Sequence, residues 1–282
     1  MIRRLTLLGL GLLGGSVAKA ARAQGLAREI VAVGRRRESM EPALREGVVD
    51  FITTDVADGV AGSDFCVLAT PVATLGARLA EVWTAAPADA LLTDVGSTKA
   101  AIVSAAETLG RSRRLHFVGG HPMAGSEKSG YQVARADLFK GALVILTPTD
   151  STAIEALKRV TEFWEAVGAR VTTLDPVTHD RAVAAISHLP HLVADALVDA
   201  VLRMDSHFLE FAAAGFRDTT RIAASSPQVW REIFEVNRPA LGEALAAFRR
   251  ALDELERVID TGDAAAVERE LERIKRAREQ LS

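Results

Sequence analysis

Apolar residues fall along this chain in two rhythms. In the first part they form short unbroken blocks: LTLLGL, EIVAVG, DFCVLAT, ALLTDVG, LHFVGG and ALVILTP. Between the blocks they recur every third or fourth position, as in LGGSVAKAARAQG, SMEPALREG, ATLGARLAEVW, STKAAIVSAAETLG and STAIEALKRVTEFWEAVG. The blocks predict buried strands and the intervening segments helices, with ARVTTLD as a last strand. Strands alternating with helices imply βαβ units and a mostly parallel sheet. After Asp175 and Pro176 only the helical rhythm continues. THDRAVAAISHLPHLVADALVDAVLR is one long periodic segment, and Pro190 inside it predicts a kink. SSPQVWREIFEVN offers Ser226 as an N-cap and Pro227 as the first helical residue. Two amphipathic helices with solvated charged faces close the chain. The division falls near residue 175, without a flexible linker.

The first strand runs straight into GLGLLGGS, where Gly9, Gly11 and Gly14 stand in G-x-G-x-x-G spacing and Leu12 opens the helix. Between a strand and a helix that spacing has a mechanism. The first glycine makes the tight turn, the second admits a pyrophosphate, and the third lets helix and strand touch, while the helix N-terminus attracts the anion. Thr70 and Pro71 end a later strand, where such sheets hold ligands. The pattern predicts an α/β fold: a Rossmann-like dinucleotide-binding domain over residues 1–174, followed by an all-α domain over 175–282. The second strand ends at Gly34, followed by Arg35, Arg36 and Arg37, where NAD-preferring sites place an acid for the ribose 2′-hydroxyl. Guanidinium groups suit a 2′-phosphate, so NADP is favoured and NAD stays possible. The plainer alternative is that these arginines decorate a surface loop.

Composition narrows the classes. Of 282 residues, 49% are apolar and 25% charged, with a net charge of −3, so nothing argues for nucleic acid or an anionic membrane surface. No apolar run approaches the ~20 residues of a membrane span. The basic, apolar N-terminus faintly mimics a signal peptide, but its glycines belong to the nucleotide motif. The one cysteine, Cys66, lies in an apolar block and reads as a core thiol, which fits a cytoplasmic setting. One segment stands apart: GGHPMAGSEKSG, residues 119–130, sets His121 and Glu127 on a glycine-rich turn. Functional side chains gather on such turns, although an idle surface histidine would look the same.

That segment, with GLGLLGGS, TDVGSTK (93–99), SHLPH (187–191) and GFRDTTRIAASSPQVWREIFEVN (215–237), resembles the prephenate/arogenate dehydrogenases of tyrosine biosynthesis, five motifs in the same order. The resemblance implies hydride transfer from the substrate's carbol carbon to NAD(P)⁺ with loss of CO₂. By the same resemblance His121 is the catalytic base and Ser97 the serine that holds the ring hydroxyl. Arg221 is implied as the carboxylate-binding arginine of a dianionic small-molecule substrate. Glu127 and Asp218 are implied to orient that arginine, and His191 and His188 to line the substrate pocket. A structural ion pair between Asp218 and Arg221, at helical spacing, is the alternative reading. His188, His191 and Asp195 also suggest a metal site, but Pro190 lies between the histidines and no metal is assigned. His116, His179 and His207 match no motif. In the resembled family the helical domain makes a homodimer, and the long helix 180–203 is the candidate dimer element. Prephenate against arogenate stays open, with prephenate preferred. A dehydrogenase of similar architecture acting on 3-hydroxy acids or imines and a non-catalytic cofactor-binding module are the other readings.

Overall fold

The computed structural model describes residues 1–112, 115–126 and 128–281. The nucleotide half runs β1 (Ile2–Leu8), α1 (Leu12–Ala23), β2 (Ala27–Val33), α2 (Glu41–Arg45), β3 (Phe51–Thr53), α3 (Val56–Val60) and β4 (Phe65–Leu68). It continues with α4 (Leu75–Ala85), β5 (Leu91–Asp94), α5 (Ala100–Gly110), β6 (His116–Pro122), β7 (Leu143–Thr147), α6 (Ile154–Ala166) and β8 (Arg170–Thr173). The eight strands form one sheet in the order β3-β2-β1-β4-β5-β6-β7-β8. All pairs are parallel except β6 with β7. The order reverses between β1 and β4, and ligands of such sheets bind outside the strand ends at that point.

The unbroken apolar blocks exist because both faces of the sheet are covered. Their alternate residues go to opposite faces. Leu5 and Leu7 of β1, Ile30 and Ala32 of β2, and Phe65 and Val67 of β4 pack on one side with α1 and α6. Leu8, Val33, Cys66 and Leu68 pack on the other with α4 and α5. Cys66 is fully buried, and desolvation pushes its thiol up to about 12, so it is inert. Two short elements, β3 and α3, fall where apolar periodicity predicts no structure. β3 is three residues at the sheet edge with Phe51 exposed, too short to leave a periodic signature.

The helical half comprises α7 (Pro176–Val183), α8 (Leu189–Met204), α9 (Ala214–Thr220), α10 (Pro227–Val236), α11 (Arg238–Asp260) and α12 (Ala264–Glu279). Asp175 caps α7 by accepting from the Val177 and Thr178 N–H groups. Residues 184–188 form a π-helical turn that joins α7 to α8 directly ahead of Pro190. A proline lacks the N–H that would bond back one turn, and its ring presses on that turn's carbonyl; a wider turn relieves both. The expected kink is therefore a π-turn inside a continuous run, Pro176–Met204. That run is long and apolar enough to cross a bilayer by length and composition alone, although polar residues interrupt every apolar block within it. Its His179, Asp180, His188 and His191 are buried, while Ile186, Leu197, Leu202 and Met204 are exposed.

Gly14 is the tightest packing point of the turn after β1. A Cβ there would lie 2.0 Å from the Gly9 carbonyl oxygen and 3.0 Å from the Ala69 Cβ. We expect Gly14→Ala to destabilise the protein by about 1–3 kcal/mol and to weaken dinucleotide binding, because helix and strand must separate. Thermal unfolding and a fluorescence titration with NADPH check both outcomes.

Candidate active site

The turn after β1 is shaped for a phosphate. Gly9 has φ +97°, and a Cβ on it would sit 2.5 Å from the Ala69 oxygen. Gly11 is the N-cap of α1; it faces open space and no side chain caps the helix. The N–H groups of the turn that begins at Leu12 thus point at an unobstructed approach. Across the crevice Thr70 places a buried hydroxyl with no protein partner among the described residues. Pro71 accepts from the Thr74 backbone and hydroxyl, closing the turn beside it. At the end of β2, Gly34 is bonded to the Thr53 carbonyl, and the Met40 sulfur occupies the space a Cβ would need. Arg35 and Arg36 are exposed and their side chains unpaired among the described residues, whereas Arg37 donates to the Ile52 carbonyl. These residues fit a nicotinamide dinucleotide: a glycine turn open to an approaching phosphate, an orphan hydroxyl across the crevice, and arginines directly after Gly34.

The ends of β5 and β6 carry the polar cluster. His121 is not on a turn: it is the penultimate residue of β6, paired with Ile145 of β7. A strand in mid-sheet fixes it more firmly than a loop would. Asp94, at the end of β5, accepts from the Gly96 N–H and the Gly120 N–H and from the Lys99 ammonium. Both members of this ion pair are fully buried. Burial drives the Lys99 pKa down while Asp94 opposes that shift. Ser97 lies in the 95–99 loop bracketed by this pair, partly exposed, and no hydrogen bond joins it to His121.

Behind His121 stands a residue that matched no motif. The His121 Nδ1 is 2.9 Å from Nε2 of His179, and the His179 Nδ1 is 2.8 Å from Oδ1 of Asp180. Asp180 also accepts from the Lys99 N–H (2.7 Å) and the Ala100 N–H (2.9 Å) at the start of α5. Burial, then the neighbouring His179, Lys99 and His188, hold the His121 pKa well below its ordinary value. The ring is therefore neutral across the physiological range.

The helical domain carries the remaining predicted site residues. His188 is buried, bonded to the Asn237 amide at 3.0 Å, and desolvation lowers its pKa to about 4. His191 stacks on Trp230 with centroids 3.5 Å apart, and its Nδ1 is buried without a partner among the described residues. Both His191 and Trp230 line a cavity of about 630 Å³ that also takes in Asp195, Ser225 and Arg238. Arg221 opens the 3-10 turn that follows α9, and that turn packs against α8. Asp218 and Arg221 are both exposed and form no ion pair with each other. The helix ends between them: Thr220 has ψ +1°, which turns Arg221 off the face that holds Asp218. The orienting role expected of Asp218 is thus not made in this structure. Glu127 lies outside the described residues.

Sequence reasoning missed His179, Asp180, Lys99 and Asn237 as parts of the site. The available signal was DPVTHD, a histidine–aspartate pair in the first turn after a strong helix start. It carries no meaning until the fold lays it against β6.

The family described as prephenate dehydrogenase, nucleotide-binding domain, matches residues 17–173, and its dimerization domain matches residues 175–273. The chain is 36% identical over 264 residues to the prephenate dehydrogenase of Bacillus subtilis, covering 92% of this chain and 71% of that one. Its fold superposes with a TM-score of 0.93 on the A. aeolicus prephenate dehydrogenase solved with hydroxyphenyl propionate and NAD⁺, at 35% identity over 100% of this chain and 99% of that one. Synechocystis arogenate dehydrogenase gives a TM-score of 0.86 at 31% identity, covering 99% of this chain and 100% of that one.

Removing one partner of the Asp94–Lys99 pair leaves a bare charge in the interior. We expect Lys99→Met to cost about 3–5 kcal/mol, and Asp94→Asn added to it to recover at least half. Urea midpoints of the two variants decide this. A second expectation comes from the depressed His121 pKa. The neutral ring is the proton-accepting form, so kcat/KM should fall only as the pH drops below the usual histidine range of about 6.5, and stay level above it. A pH–rate profile with an acid limb at or above that value contradicts the assignment.

Proposed function

The chain belongs to the prephenate dehydrogenase family, and on that premise we propose that it oxidatively decarboxylates prephenate to 4-hydroxyphenylpyruvate, a step towards tyrosine, with NADP⁺ as the preferred acceptor. When bound, the dinucleotide takes the hydride. The chain's own residues manage the proton and the two carboxylates. A neutral His121 accepts the ring hydroxyl's proton as the hydride leaves the carbon that bears it. The ring–carboxylate bond then breaks, CO₂ departs, and the released pair flows into the ring, which becomes aromatic. The oxygen retakes its proton from His121, so the balance closes without an added acid. Ser97, in the loop that follows β5, holds the same hydroxyl in this reading. Arg221 offers a planar fork for one carboxylate, free of any protein partner among the described residues. His188 and His191 are assigned to the helical side of the pocket in this reading.

The observation that carries this reading is the setting of His121: an imidazole near the end of β6 whose Nδ1 is engaged by His179, with burial and its neighbours holding its pKa down. The arginines after Gly34, with no acid among them, support NADP⁺ over NAD⁺. The match to the dimerization domain spans α7 to most of α12 and supports a homodimer formed through it. The exposed Leu202, Met204, Phe208 and Phe211 belong to the surface we assign to the partner.

The decisive assay monitors reduced nicotinamide by absorbance while crossing prephenate and arogenate with NADP⁺ and NAD⁺. Prephenate with NADP⁺ should give the highest kcat/KM; a higher value with arogenate reverses the substrate assignment. His121→Asn should lower kcat by about 10²–10⁴-fold with dinucleotide affinity kept. Arg221→Ala should raise the substrate KM about tenfold or more. Neutralising Arg35 and Arg36 together should cut the NADP⁺/NAD⁺ preference at least fivefold, and an unchanged ratio removes them from cofactor choice.

A further inference from the structure

The histidine with no sequence motif is buried in mid-molecule with both ring nitrogens engaged. We propose that His179 and Asp180 are positioning residues that fix the tautomer of His121, so that its basic lone pair lies on Nε2, and that they steady the imidazolium formed when it takes a proton. The proposal rests on His121 being the base.

The protonation states can be read in order along the line. Asp180 receives the Lys99 and Ala100 N–H groups and one His179 nitrogen, all as acceptor, at the N-terminus of α5. A carboxylate cannot donate, so the hydrogen between Asp180 and His179 belongs to the His179 Nδ1. A neutral ring with that hydrogen has its lone pair on Nε2. Facing it at 2.9 Å is Nδ1 of His121, which must therefore carry the next hydrogen. His121 is left with an unprotonated Nε2, the nitrogen farthest from the protein backbone. The charged and titratable groups around the line are Lys99 and Asp94 from the β5–α5 connection and His188 from the π-turn. Asn237 from α11's N-cap holds the Asp180 carbonyl at 2.9 Å and His188 at 3.0 Å. The Lys99 charge disfavours a second positive charge on the line at rest. Once His121 accepts a proton, its Nδ1–H donates to a neighbour backed by a carboxylate, which offsets part of the cost of a charge in that setting.

The two halves of this line come from different domains. His121, Lys99 and Ala100 belong to the sheet side, and His179 and Asp180 to α7, the first helix of the all-α domain. The correct tautomer therefore exists only while α7 is docked on α5. An imidazole with no partner on Nδ1 prefers its hydrogen on Nε2, which would present a donor to the substrate hydroxyl where an acceptor is needed.

Long-range ¹H–¹⁵N correlation of the histidine rings in the full-length wild-type enzyme reads the tautomer directly, with no turnover required. Nδ1-protonated His121 and His179 at neutral pH are expected; Nε2-protonated His121 overturns the proposal. In kinetics with prephenate and NADP⁺, His179→Phe should lower kcat about tenfold or more, leave both KM values within about twofold, and move His121 to its Nε2–H form. His179→Gln, whose carbonyl can accept from Nδ1–H, should restore much of the lost kcat. An unchanged kcat in His179→Phe, or equal losses in both variants with altered KM, refutes the positioning role. If His179→Phe does not fold, the wild-type spectrum decides alone. Full activity in His121→Asn would instead defeat the base assignment, whatever the tautomer.

Discussion

The site depends on one buried carboxylate, that of Asp94. It sits at the end of a central parallel strand, where several strand ends converge. It takes the Lys99 ammonium, the Gly96 N–H and the Gly120 N–H at once. The first two fix the loop that carries Ser97; the third fixes the residue before His121. A fully buried ion pair is weak evidence for stability, because desolvating both charges costs about as much as their attraction returns. Its use here is geometric and electrostatic. It locks two adjacent strand ends into one register and leaves a fixed positive charge where a protonated base would be penalised.

The same neighbourhood joins the two domains. Asp180 of α7 closes over the first N–H groups of α5, and Asn237 holds Asp180 by its carbonyl. Farther along, the nearly buried Glu232 of α10 accepts from Ala73, just past Thr70 and Pro71. The helical domain thus bonds to the loops that follow β4 and β5.

The parts legible in the sequence were those whose chemistry is local. Gly9, Gly11 and Gly14 are recognisable because turn, helix start and phosphate approach fall within a few residues. The strand blocks are legible because a doubly covered sheet leaves no polar alternation. His121 stood out by its motif, yet its place on β6 rather than on a turn was not legible: the strand continues through glycines that look like loop residues until β7 pairs with them. His179 was invisible for a different reason. Its role is a contact across 58 positions, and nothing near it in the chain announces that contact. Asp218 and Arg221 failed in the opposite sense, since helical spacing suggested a pair and the helix stops one residue too soon.

The long helical run explains why one sequence satisfies two demands. Along Pro176–Met204 the buried polar residues, His179, Asp180, His188 and His191, form the side that meets the nucleotide domain and the cavity. Ile186, Leu197, Leu202 and Met204 of the same run are exposed. The run buries these polar residues alongside Val183, Ala184 and Ala194, and it exposes those large apolar side chains among the charged Arg181, Asp199 and Arg203. The run lies within residues 175–273, which match the family's dimerization domain. The π-turn belongs to the same run. By inserting an extra residue ahead of Pro190, it rotates the remainder of the helix and brings His188 and His191 to the inner side while the outer side stays continuous. One helical run therefore carries both buried histidines and exposed apolar side chains.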